Sequence, residues 1–394
     1  MAAAVPIFML SAPFLFSEET APFQKILSRL SFSEKAAQAL MVNIAGSITA
    51  DRKSMASLKG LVPGAVLLFG YNIADTPQKV AAFSTSTTET FQETVRSACR
   101  SFIPPLYALD NEGGTVYRTR RITAPMPAAE DIGNLFSIEE TRELYRLLGR
   151  QMREIGIRLN LAPVAEARTE ETRPALGTRT YSENPERAAS YAASAVQGMQ
   201  EAGILAAVKH FPGNGAADLH KASAELNVDY SVFLSRYCAA FRPSVTAGTA
   251  AVLVSHITVP AVEKAPFCFS AKGIALLRKE LDFSGLIITD DIAMQALKQE
   301  GQSPADNAVR AIAAGCDMVM CSLPEVYPII AAIAERAASD AAFARRLDEA
   351  VLHILAAKRK AGLINAAGTF IPHTPDWEIF RQAKEAHTYL TAKR

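Results

Sequence analysis

The apolar positions of this chain fall into two alternating kinds of run. Short, continuous, β-prone runs occur at Gln38–Ile44, Ala65–Gly70, Leu106–Asp110, Ile157–Pro163, Leu205–Phe211, Ala250–Ile257, Gly285–Asp290 and Met318–Leu323. Continuous apolarity over so few residues is the mark of strands buried on both faces. Between them lie stretches with helical spacing. Ile138 to Ile155 sets Leu144, Leu148, Met152 and Ile155 on one stripe among Glu and Arg. Pro185 to Ala202 is Ala-rich and follows a cap-like Ser182 to Asn184. Alternating strands and helices predict parallel βα units, and eight of them predict an α/β (β/α)8 TIM-type barrel forming a single domain. An open doubly wound sheet is the competing arrangement. No Pro/Gly/Ser-rich linker divides the chain. The expected parts are an apolar arm or signal-like segment over 1–24, a barrel over 25–365 and a helical extension over 366–394, its last helix running from Asp376 to Ala392.

Composition narrows the function. Lys and Arg total 41 against 40 Asp and Glu, a formal charge of +1. No basic stripe with interleaved aromatics is present, so nucleic acid is not an expected partner. The five cysteines are odd in number and form no Cys-x-x-Cys, which argues against a disulfide framework or a zinc site. Cys316 and Cys321 read as small core residues. Residues 2–17 are almost wholly apolar or small but lack a basic flank, which leaves export and an arm packed on the domain both open. The run is too short to span a membrane comfortably.

The polar residues gather where the predicted strands end. The third strand runs into Asp110-Asn-Glu-Gly-Gly114, and a loop after the fourth carries Arg179. The fifth strand ends in Lys209-His210, the sixth in Ser255-His256 and the seventh in Thr289-Asp290-Asp291. After the fifth strand, a turn built on Pro212, Gly213 and Gly215 leads to the Asp-x-His pair Asp218 and His220. In a barrel these ends converge on one face. Carboxylates and cations around one pocket suit a polyhydroxylated ligand, whose hydroxyls donate to carboxylates and accept from Lys or Arg. A carboxylate such as Asp290 can attack an anomeric carbon, and a histidine such as His220 can protonate a leaving oxygen near neutral pH. Asp218 could hold the imidazole, provided the backbone between the two bends as a loop does.

Read in other ways, Asp290 and Asp291 form a solvated helix cap, and Lys209-His210 an internal ion-pair element. Asp291 itself reads as structural. Glu112 is expected to brace the Gly-Gly turn. His256 is expected to line the pocket or satisfy a strand-end carbonyl. His353, His373 and His387 read as surface or terminal residues.

The ordered set Asp110-Asn-Glu-Gly-Gly-Thr-Val-Tyr-Arg118, Asn160-Leu-Ala-Pro-Val164, Leu176-Gly-Thr-Arg179, Lys209-His-Phe-Pro-Gly213, Asp218-Leu-His220 and Ile288-Thr-Asp-Asp-Ile-Ala-Met294 resembles glycoside hydrolase family 3, in its β-N-acetylglucosaminidase branch. The weaker run Ala308 to Asp317 also fits. The resemblance implies that Asp290 is the nucleophile and that Asp218 and His220 are the acid/base dyad on a mobile loop. It implies that Asp110, Arg118, Arg179, Lys209 and His210 grip the terminal sugar. It further implies a retaining exo-β-N-acetylglucosaminidase that removes terminal GlcNAc from peptidoglycan fragments or chito-oligosaccharides, with no metal or organic cofactor, acting as a monomer. The chain departs from the family pattern at Asn214, where the family has His, at Leu219, where Ser is common, and at Glu166, where Asp is common. The segment from Gly215 to Asp218 is also shorter. A phosphorylase using the same intermediate and an impaired GlcNAc-binding protein remain alternatives, while a β-glucosidase is disfavoured because that branch lacks the Asp-x-His loop.

Overall fold

The computed structural model describes residues 23–213, 223–298 and 302–394. Eight parallel strands form one sheet in sequence order: β1 (Leu40–Asn43), β2 (Ala65–Leu67), β3 (Leu106–Leu109), β4 (Leu159–Asn160), β5 (Leu205–Phe211), β6 (Ala251–Val254), β7 (Leu286–Thr289) and β8 (Val319–Cys321). β8 pairs with β1, and a parallel bridge between Ile288 and Met318 joins β7 to the start of β8 and closes the ring. The architecture is therefore a (β/α)8 barrel, and each strand lies within one of the runs picked out by continuous apolarity.

Period-two alternation sorts the strand residues. Met41, Leu67, Leu106, Ala108, Leu159, Leu205, Ala207, Leu253 and Ile288 pack with one another inside the barrel. Leu40, Val42, Val66, Leu109, Val208, Val252 and Ile287 face the surrounding helices. Helix starts obey local capping chemistry. Ser137 and Glu140 make a reciprocal capping box for the helix Ile138–Glu154, and Asn184 caps the helix that begins at Pro185. The predicted stripe Leu144, Leu148, Met152 and Ile155 is wholly buried. No described helix is long and apolar enough to cross a membrane.

Two histidines depart from the sequence reading. His387 lies on the terminal helix Trp377–Ala392, which packs on Ile138–Glu154. Its Nδ1 meets Gln151 Nε2 at 3.2 Å, and burial pushes its pKa down to about 4. His353 is also buried, with Nδ1 2.9 Å from Asp317 Oδ1. A terminal position did not make these residues exposed, because the last helices cover the barrel. Cys316 and Cys321 are buried as expected, as are Cys238 and Cys268, while Cys99 is exposed.

Asp317, just before β8, is fully buried and clamps the closing seam. Oδ2 accepts from the Ile287 amide at 2.9 Å and from Arg278 at 2.6 Å, and Oδ1 accepts from Arg346. Burial alone would raise its pKa, but His353, Arg278 and Arg346 hold it far below the usual carboxylate range. Replacing Asp317 by Asn leaves two half-buried guanidiniums without this shared counter-charge. Chemical denaturation of Asp317→Asn is expected to show a loss of about 3–5 kcal/mol; a change below about 1 kcal/mol would contradict this account of the seam.

Candidate active site

Following β3, β5, β6 and β7 to their carboxyl ends carries the inward alternation into polar residues. Positions 106 and 108 lead to Asp110 and then Glu112, 205 and 207 to Lys209, 251 and 253 to Ser255, and 286 and 288 to Asp290. One layer above the apolar interior therefore collects charged groups from strands far apart in sequence. β5 adds a local device. Its pairing with β6 shifts between Val208 and Phe211, with one extra residue on β5. That bulge lets the consecutive Lys209 and His210 both reach carboxylates at the mouth, which strict alternation would forbid.

Lys209 is buried, its Nζ 2.8 Å from Asp110 Oδ1 and 2.6 Å from Glu112 Oε1. Arg179, at the end of a 3-10 turn over Gly177–Arg179, grips Glu112 bidentately, Nε to Oε2 at 2.7 Å and Nη2 to Oε1 at 2.9 Å. Arg118 Nη2 stands 3.8 Å from Asp110 Oδ2, and its buried Nε has no hydrogen-bond partner among the described residues. His210 Nδ1 donates to Glu166 Oε1 at 2.8 Å, and its backbone N–H reaches the same oxygen at 3.1 Å. The structure thus brings Asp110, Arg118, Arg179 and Lys209 into one connected charge network.

Burial would raise the Glu112 pKa, but Lys209 and Arg179 pull it down to about 2. Burial would lower Lys209, but Asp110 and Glu112 raise it above its ordinary value. Both groups stay charged in a place that alone would neutralise them. Asp290 behaves similarly. Its burial pushes the pKa up, yet His256, His210, the Asp291 amide and Lys209 bring it below the ordinary value. Asp290 Oδ1 accepts from that amide at 2.9 Å.

Asp291 has a separate, structural task. Its carboxylate accepts from the Ala293 amide at 2.9 Å and from the Ser322 hydroxyl, tying β7 to β8. No helix starts at Ile292; a turn leads instead to a 3-10 segment at Gln295–Leu297, so the two aspartates are not a helix cap. His256 Nε2 lies 3.0 Å from the Asp291 carbonyl, which is the strand-end contact foreseen for it.

Glu112 is the main correction. It does not serve the Gly-Gly turn; it is the buried anion joining Arg179 to Lys209. The turn is fixed by backbone geometry. Gly113 and Gly114 have φ of 106° and 53°, and a Cβ on Gly113 would meet the Pro127 carbonyl at 2.2 Å. The signal for Glu112 was present in its alternation with Asp110. Glu166, at the position where the family commonly has Asp, orients His210. Asp218, His220, Asn214 and Leu219 lie outside the described residues.

The comparisons with known proteins agree with this architecture. The model of the glycosyl hydrolase family 3 N-terminal domain matches residues 31–357. The β-hexosaminidase of Nitrosomonas eutropha (strain DSM 101675 / C91 / Nm57) is 31% identical over 297 residues, covering 73% of this chain and 81% of that one. Among solved structures, a family 3 β-N-acetylglucosaminidase from Paenibacillus sp. str. FPU-7 superposes with a TM-score of 0.76 at 26% identity, over 90% of this chain and 68% of that one. The β-N-acetylhexosaminidase of Beutenbergia cavernae DSM 12333 gives 0.73 at 29%, over 84% and 99%. A barrel with a charged mouth, matched along most of its length by these proteins, belongs to glycoside hydrolase family 3. The chain is a glycoside hydrolase.

The Glu112 pKa gives a pH signature. Because the folded value of about 2 lies below the ordinary 4.5, the stability it contributes is present above about 4.5 and is lost as pH falls toward about 2. Glu112→Gln is expected to be less stable than the native protein at neutral pH by about 3 kcal/mol. The gap should narrow as pH falls through that window, measured by denaturant midpoints at each pH. A gap independent of pH would rule out Glu112 as the titrating anion.

Proposed function

We propose that this protein is a retaining exo-β-N-acetylglucosaminidase that removes terminal non-reducing GlcNAc from peptidoglycan fragments or chito-oligosaccharides. The observation carrying this reading is the Asp290 carboxylate, kept ionised in the same inward layer as Asp110 and Lys209. The names of the similar proteins, β-hexosaminidase and β-N-acetylglucosaminidase, support the GlcNAc specificity.

Asp110, Arg118, Arg179, Lys209 and His210 act on the non-reducing sugar. Asp110 and Glu112 already occupy Lys209, so a sugar hydroxyl that donates to Asp110 and accepts from Lys209 joins an existing polar lattice at little reorganisation cost. The guanidinium of Arg118 supplies further donors, including the Nε that lacks a partner among the described residues. Glu166 fixes the orientation of the His210 ring through its Nδ1.

With the sugar held, Asp290 attacks the anomeric carbon. The C–O bond to the leaving group breaks as the Asp290–carbon bond forms, and His220 gives its proton to the departing oxygen. Asp218 stabilises the imidazolium before transfer. Water then attacks the glycosyl ester, His220 takes its proton, and the product leaves with its original β configuration. An ionised Asp290 is required for the first step, and its lowered pKa meets that need at neutral pH.

The native protein is expected to release nitrophenol from p-nitrophenyl β-GlcNAc much faster than from the β-glucoside, with β-GlcNAc as the first anomer seen by NMR. Asp290→Ala should lower kcat by on the order of 10^4-fold or more. First appearance of the α anomer would refute the covalent intermediate. GlcNAc-1-phosphate formed in the presence of phosphate would reassign the protein as a phosphorylase. Binding of GlcNAc without turnover by the folded native protein would make it a binder.

A further inference from the structure

The inward positions at the barrel mouth contribute Asn43 from β1, Asp110 from β3, Lys209 from β5 and Asp290 from β7, but β2 contributes an aromatic ring. Ala65 and Leu67 belong to the barrel interior, and Phe69, two residues on, packs against that same interior cluster while remaining partly exposed. Its ring stacks on that of Tyr71, centroids 5.9 Å apart at 30°. Tyr71 is 58% exposed. A continuous aromatic surface therefore climbs from the floor of the reacting layer to the rim.

The surface is held in place. The Tyr71 hydroxyl is hydrogen-bonded to Asn43 Oδ1, and Asn43 donates to the Leu67 carbonyl at 2.9 Å. Asn72, wholly buried, donates to the carbonyls of Ile44 and Gly46 and accepts from the Phe69 amide at 2.9 Å. These bonds tie the β2 loop to the β1 loop. An exposed ring anchored at its hydroxyl and against a second ring loses little freedom when a ligand covers it. Stability does not require such exposure, since a core aromatic would be covered.

We propose that Tyr71, backed by Phe69, is the platform for the leaving-group sugar, stacking against the apolar C–H face of the residue attached to the scissile oxygen. The inference rests on the functional reading above and extends it to the second sugar. The charged network on β3 to β5 takes the hydroxyls of the terminal GlcNAc. The leaving group emerges from the polar layer toward the rim, where the aromatic surface is the apolar complement to a pyranose face.

The test uses the Asp290→Asn protein, which binds without consuming its ligand, and titration calorimetry with GlcNAc and with the disaccharide GlcNAc-β-1,4-GlcNAc. The disaccharide is expected to bind more tightly than the monosaccharide. Adding Tyr71→Ala should weaken the disaccharide about three- to tenfold, the range one aromatic stack is worth, and leave GlcNAc unchanged. Tyr71→Phe should weaken the disaccharide less than Tyr71→Ala does, since it keeps the ring and loses only the hydroxyl anchor. Unchanged disaccharide affinity in Tyr71→Ala, or equal weakening of both ligands, would overturn the platform. Failure of the Asp290→Asn protein to bind even GlcNAc would instead overturn the functional reading, and the platform with it.

Discussion

The site depends on a carboxylate that never meets solvent. Glu112 is 3% exposed and holds Lys209 on one oxygen and Arg179 across both. Without it, two cations would crowd the mouth, and Lys209 would have Asp110 alone to oppose the burial that disfavours its charge. With it, the cations are fixed in position and keep their charge. The positive potential of Lys209 reaches Asp290 and helps to lower that carboxyl's pKa, favouring the ionised state the proposed attack on carbon needs. The network costs desolvation and returns a pre-set pattern of donors and acceptors.

The barrel supplies the other half of the design. Its strands are buried on both faces, so each inward position is fixed by counting in twos from the apolar interior. Chemistry appears where the count runs past the last hydrophobic layer, and it appears on several strands at once because the sheet is closed. Where the count fails, at the extra residue of β5, two neighbouring side chains gain access to the mouth together. Regular pairing gives the site its ring, and one irregularity gives it an additional member.

Much of this was legible in the chain because continuous apolar runs and the residues that end them are local features. All eight strands, the helical stripe through Leu144 and Met152, the cap at Asn184 and the convergence of Asp110, Lys209 and Asp290 follow from short windows. What escaped depends on distant partners. Glu112 was assigned to the turn beside it because Arg179 lies 67 positions away. His353 and His387 were placed at the surface because nothing nearby announces that the final helices fold back over earlier ones. Asp291 was separable from Asp290 in role, though its tie to Ser322 was not visible.

The closing seam between β7 and β8 is tied at the mouth by Asp291 and Ser322, and deeper in the barrel by Asp317, which precedes β8. Backbone hydrogen bonds such as that from the Thr289 amide to the Met318 carbonyl join the strands there, and Asp317 with Arg278 and Arg346 reinforces them. Asp290, the proposed nucleophile, is the residue immediately beyond β7. Its height and direction are therefore set partly by a charge cluster that holds β7 at the Ile287 amide. Damage to this remote clasp would shift a reacting atom without touching the pocket. A variant found there would mimic a catalytic defect in an activity screen while its cause was mechanical, like a door that fails to latch because its hinge has moved.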